Sequence, residues 1–101
     1  MAAPKQVNKQ ETVKSVLETA HEIVYGEREQ LYGSPETNLQ TIADYWTIHL
    51  RRKLGITEDL TISDVCGMMI LMKQARLANT PDHKDSLVDI CGYATLQDIC
   101  Q

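Results

Sequence analysis

Nowhere in the 101 residues does an apolar run approach the roughly 18 that a membrane helix needs. Basic residues are also scarce: 10 Lys and Arg stand against 14 Asp and Glu, giving a net charge of −4. A surface with no basic excess argues against binding to nucleic acid polymers or to an anionic membrane. One small anion stays within reach, because two or three placed cations are enough to hold a phosphate group. Cys66, Cys91 and Cys100 are odd in number, lack CxxC spacing and stand among apolar residues. Reduced, buried thiols are therefore expected rather than a disulfide or a zinc site. No apolar stretch follows the charge in Met1–Gln6, so no signal peptide is expected and the chain reads as a soluble cytoplasmic protein. Phosphate-binding glycine loop, nucleophile elbow, HExxH and zinc-finger spacings are all missing. So are alternating strand patterns, internal repeats and low-complexity tracts.

What is present is helical periodicity in a chain of single-domain length. Residues 1–10 are polar and aperiodic and read as a flexible tail, with one domain over 11–101. Val13, Val16, Leu17, Ala20, Ile23 and Val24 recur at spacings of three and four, which places them on one helix face. Gly26 suits the end of that helix, and residues 26–34 fit either a further helical turn or an ordered loop. Ser34-Pro35-Glu36 then combines an N-cap, a proline at the first helical position and an acid at the positive end of the dipole. The face that follows is Leu39, Ile42, Ala43, Trp46, Leu50 and Leu54, closed by Gly55.

Thr61 with Asp64 forms a capping-box pattern before Val65-Cys66-Gly67-Met68-Met69-Ile70-Leu71-Met72, which is apolar on every side. A helix like that lies inside a bundle or at a subunit interface, and Gly67 suits close approach by a neighbouring helix. Asn79-Thr80-Pro81 breaks it, and Asp82 is expected to cap a last helix running to about Ile99. The expected fold is all-α, a four-helix bundle-like domain, assembled as a homodimer or larger oligomer.

One group of charges stands out. Lys73 and Arg76 are three apart and share a helix face; Asp85 and Asp89 are four apart and share another. An antiparallel hairpin turning near Thr80-Pro81 sets Arg76 beside Asp85 and Lys73 beside Asp89. Three readings follow. The pairs lock the hairpin as structural ion pairs. Or the carboxylates hold Mg²⁺, with Glu18 and Glu22 of the first helix as the further acids. Or Lys73, Arg76, Lys84 and the free amides of the last helix capture an anion. His83, beside the expected cap, is a candidate ligand contact. Tyr93 and Tyr32 are candidates to present hydroxyls, and Trp46 is a core residue or a stacking surface for a base. His21 and His49 have no partner at a useful spacing.

The succession Gly26-Glu27-Arg28, Tyr32-Gly33-Ser34-Pro35-Glu36-Thr37-Asn38, Ile42-Ala43 and Trp46 resembles a group of small phage and prophage proteins of unassigned function. So do Asp64-Val65, Met68-Met69, Lys73 with Ala75-Arg76-Leu77, and His83-Lys84-Asp85-Ser86-Leu87-Val88-Asp89 before Gly92-Tyr93-Ala94. The resemblance covers roughly residues 11–97 and implies an all-helical phage-encoded domain in the host cytoplasm, with no named activity. A more distant similarity is to the all-α MazG-type nucleoside triphosphate pyrophosphatases, which bind Mg²⁺ through ExxE and ExxD motifs. Glu18 and Glu22 are spaced ExxxE here, and Asp85 and Asp89 are spaced DxxxD. The acids keep one helix face while a third acid per cluster is missing. The reading that results is a non-catalytic, cofactor-free protein that sequesters a phosphorylated or cyclic nucleotide, of the kind used in host nucleotide-signalling defence. Arg76, Lys73 and Lys84 would grip phosphate, Asp85 and Asp89 would orient them, and Tyr93, Trp46 or Arg28 would meet the base. The alternatives are a MazG-like Mg²⁺-dependent (d)NTP hydrolase using Asp85, Asp89, Glu18 and Glu22, and a helical protein-binding module with no small ligand.

Overall fold

The computed structural model describes residues 8–25 and 34–100. These form four helices: α1 (Lys9–Tyr25), α2 (Pro35–Leu54), α3 (Ile62–Asn79) and α4 (Lys84–Ile99). The described residues contain no strand. Arg28 and Tyr32 lie outside them, and so does the expected stop at Gly26. Among the described residues no helix is long and apolar enough to cross a membrane.

Capping chemistry places most of the helix ends. α1 begins at Lys9, two residues before the expected start at Glu11, and Asn8 caps it: its side-chain oxygen accepts from the Glu11 amide at 3.2 Å. Ser34 caps α2 through the Thr37 amide, and Gly55 ends it at φ +68, a left-handed conformation that glycine adopts without penalty. Thr61 and Asp64 form the reciprocal capping box at the start of α3. At α4 the expectation of Asp82 is corrected. Residues 81 and 82 lie in a turn and His83 is the N-cap, its Nδ1 accepting from the Ser86 amide at 3.3 Å and lying 2.7 Å from the Ser86 hydroxyl. An imidazole nitrogen here does what a carboxylate usually does.

α4 is the centre of the packing, with α3 along one flank and α1 along another, while α2 lies on α3. The α3–α4 pair is antiparallel, as bonds from Gln97 to Ser63 and from Lys73 to Asp89 mark at its two ends. α1 instead runs parallel to α4. Lys84 donates to Ser15 at one end, and Gly92 meets Val24 at the other, where a Cβ would lie 3.6 Å from Val24 Cγ2. An up-and-down bundle would make the first and last helices antiparallel, so this arrangement differs from the simplest four-helix design.

The buried cluster is Val24, Leu39, Ala43, Val65, Cys66 and Leu96, with Ile42, Trp46, Met69, Tyr93 and Cys100 packed against it. Trp46 therefore belongs to the core. All three cysteines are free thiols, and burial pushes the Cys66 thiol up, with Cys100 adding to the rise. Three members of the expected apolar faces are exposed instead: Val13 and Leu17 on α1, and Leu54 at the end of α2. Periodicity identifies a face but not where the neighbouring helix stops covering it.

Thr47 ties α2 to the 55–61 connection. It is buried, donates to the Ala43 carbonyl at 2.7 Å and accepts from the Leu60 amide at 2.8 Å. Thr47→Val keeps the shape and leaves that amide without its acceptor, so a loss of about 1–3 kcal/mol is expected in urea unfolding. A loss near zero would mean that water replaces the hydroxyl.

Candidate functional site

Lys73 and Asp89 meet as the hairpin register requires, with Nζ 3.0 Å from Oδ2. The ammonium is buried and the carboxylate about a quarter exposed. A charge this far from water needs a partner, because desolvation costs several kcal/mol per ion. An ammonium carries three donors, and the bond to Asp89 uses one. The expected second pair is not formed: Arg76 and Asp85 are both exposed, and no ion pair joins them. Three residues advance the helix by about 300°, so Arg76 is turned about 60° from Lys73 toward the outer flank of the hairpin.

Lys73 and Asp89 stand in the wall of a cavity of about 320 Å³ to which all four helices contribute. α1 supplies Ala20, Ile23 and Val24; α2 supplies Pro35, Asn38, Leu39 and Ile42. α3 adds Met69 beside Lys73, and α4 adds Val88, Gly92, Tyr93 and Leu96 beside Asp89. The wall is mainly apolar, with the ion pair, Asn38 and Tyr93 as its polar features. The first turn of α2 reaches it through Pro35 and Asn38, bringing the positive end of that helix dipole to the rim. Gly92 is buried, and its missing side chain leaves room between α4 and α1.

Of the candidate ligand residues, the cavity thus collects Lys73, Asp89 and Tyr93. Lys84 is turned to Ser15 of α1, His83 to Ser86, and Trp46 to the core. Glu18 and Glu22 lie together on the exposed outer face of α1, away from the cavity wall. Among the described residues no group of three or more His, Cys, Asp or Glu side chains converges to hold a metal ion. Asn38 and Gly92 also line the cavity, and neither carries a site signal in the sequence. Asn38 follows Ser34-Pro35-Glu36 by one turn and has no periodic signal of its own, and Gly92 reads as an ordinary helix position until α1 is packed against it.

Two phage proteins are similar to this chain. The "Gene 55 protein" of Mycobacterium phage L5 is 44% identical over 80 residues, which cover 79% of this chain and 48% of that protein. The "Gene 55 protein" of Mycobacterium phage D29 is 40% identical over 81 residues, covering 80% and 50% respectively. The chain thus spans about half the length of the curated relatives it matches. No solved structure matches it. Residues 15–101 match a family model described as "Domain of unknown function (DUF6378)", and with most of its length in that match the chain belongs to this family.

Proposed function

We propose that this domain binds a small nucleotide without turning it over, holding it in the cavity between the four helices. The observation that carries the reading is the placement of the Lys73–Asp89 pair in an otherwise apolar cavity of about 320 Å³. That volume is at the small end of ligand pockets, and a few polar groups on a hydrophobic wall is the usual construction of such sites. A base fits the apolar part, with Asp89 and Asn38 as hydrogen-bonding groups. A phosphate at the rim meets Lys73 and the positive end of α2. Arg76, one turn further along α3, adds long-range attraction rather than a contact inside the cavity. The similarity to phage proteins supplies a setting: sequestration, in the host cytoplasm, of a phosphorylated or cyclic nucleotide that carries a defence signal.

The test is a thermal-shift panel of mono-, tri- and cyclic nucleotides, with and without Mg²⁺, followed by chromatography of the recovered ligand. A ligand that binds the native state raises the melting temperature by mass action. The expected result is a metal-independent rise with intact ligand, abolished in the double variant Lys73→Met, Asp89→Leu. Metal-dependent loss of a triphosphate would replace this reading with a MazG-like hydrolase. A flat panel would leave the pair as a structural lock.

A further inference from the structure

We infer that the ligand is a guanine nucleotide whose base edge is read by the Lys73–Asp89 pair itself, an inference that rests on the nucleotide reading above. Lys73 Nζ and Asp89 Oδ2 stand 3.0 Å apart in the cavity wall, the lysine side chain about 10% exposed and the carboxylate about 25%. Both groups keep capacity beyond their mutual bond. The ammonium carries three N–H donors, and the carboxylate has two oxygens with about four lone-pair sites. A ligand that reaches the pair thus meets a donor and a charged double acceptor side by side. α3 supplies the donor and α4 the acceptor, so the packing of the hairpin sets the pattern before any ligand arrives.

Among the common bases, guanine carries the complementary edge. Its O6 accepts, and the adjacent N1–H and 2-amino group both donate. O6 takes an N–H of Lys73, while N1–H and the amino group donate to the two oxygens of Asp89. Three charge-assisted bonds result. Adenine sets a single amino donor beside an acceptor nitrogen, which gives one bond to Asp89 and one to Lys73. Cytosine makes the same two. Uracil turns its second carbonyl oxygen toward the carboxylate, which repels it. The wall suits a flat ring, with Ile23 of α1, Ile42 of α2 and Met69 of α3 supplying apolar surface. Asp89 also opposes a phosphate pushed in beside Lys73, so the neutral base takes the pair. The phosphate stays at the rim, attracted by the positive end of α2 and, at longer range, by the ammonium.

Equilibrium dialysis of the full chain against guanosine, inosine and adenosine nucleotides tests this. Each base is compared as the 5′-monophosphate, the 5′-triphosphate and the 3′,5′-cyclic monophosphate. Changes made on the ligand leave the fold untouched. Inosine lacks only the 2-amino group, so the guanosine form should bind about tenfold or more tighter, the effect of one charge-assisted bond. The adenosine form should fall short of guanosine by a similar factor. In the double variant Lys73→Met, Asp89→Leu the preference for guanosine should vanish. Equal binding of the three bases, lost in the double variant, overturns the guanine inference and leaves the nucleotide reading standing. A preference for adenosine does the same. Binding of none overturns both. A guanosine preference that survives in the double variant sets the base elsewhere in the protein and overturns its assignment to the pair.

Discussion

Asp89→Asn should cost about 3 kcal/mol of stability, at the low end of what breaking a buried ion pair removes. The asparagine keeps the size of the side chain and a hydrogen-bonding oxygen. What it loses is the charge opposite an ammonium that the fold leaves about 10% exposed. The low end applies because the carboxylate side of the pair is about 25% exposed, so some water reaches the site. Lys73→Met should cost less than Asp89→Asn, since the charge it strands is the better solvated one. Removing both charges together, as Lys73→Met with Asp89→Leu, should return stability to near the wild type, because neither desolvation cost is then incurred. Urea unfolding of the four proteins measures all of this. A cost below about 0.5 kcal/mol for Asp89→Asn would be that of an exposed pair and would contradict the burial of Lys73.

The same four proteins separate structure from function. A lock that does nothing else leaves the double variant folded and unchanged in every ligand assay. A ligand site leaves it folded and silent in the nucleotide panel. Stability and binding are thus read on one molecule, and a loss of binding is not confused with a loss of fold.

The Lys73–Asp89 contact was legible because it depends on local quantities. Two helices and a short break at residues 80–83 determine which residues lie equally far from the turn. The caps at Ser34 and Thr61 and the stop at Gly55 were legible for the same reason, since each is decided within a few residues. The rest of the site was not. Nothing in the periodicity of α1 says that it runs parallel to α4, and the cavity exists only once that packing brings Ala20 and Val24 to Gly92. Arg76 shows how far a register argument extends: distance from the turn was right, but facing also depends on rotation about the helix axis. His83 shows the limit of propensity. Asp82 is the better capping residue in isolation, yet the turn after Pro81 carries the chain one residue further before the helix begins. The apolar stretch of α3 fitted the inside of a bundle or a subunit interface equally well, and its buried and exposed sides became distinct only once α4 and α2 packed against it.

Leu39→Ala should cost about 2–3 kcal/mol, in the lower part of the range for truncating a buried leucine. Leu39 is 3% exposed and stands where the core cluster of Val24, Ala43, Val65, Cys66 and Leu96 meets the cavity. Truncation removes its transfer free energy and leaves a void that the helices fill only in part. The lower part of the range applies because one side of the leucine already borders open volume, where it has fewer dispersion contacts to lose. Leu39→Met, which keeps the volume, should stay within about 1.5 kcal/mol of the wild type. The measurement is urea unfolding at constant temperature, repeated with whichever nucleotide the panel identifies. If the cavity is a ligand site, Leu39→Ala widens it, and the bound nucleotide should recover less stability than it confers on the wild type. An increment unchanged by either substitution would place the ligand elsewhere on the protein.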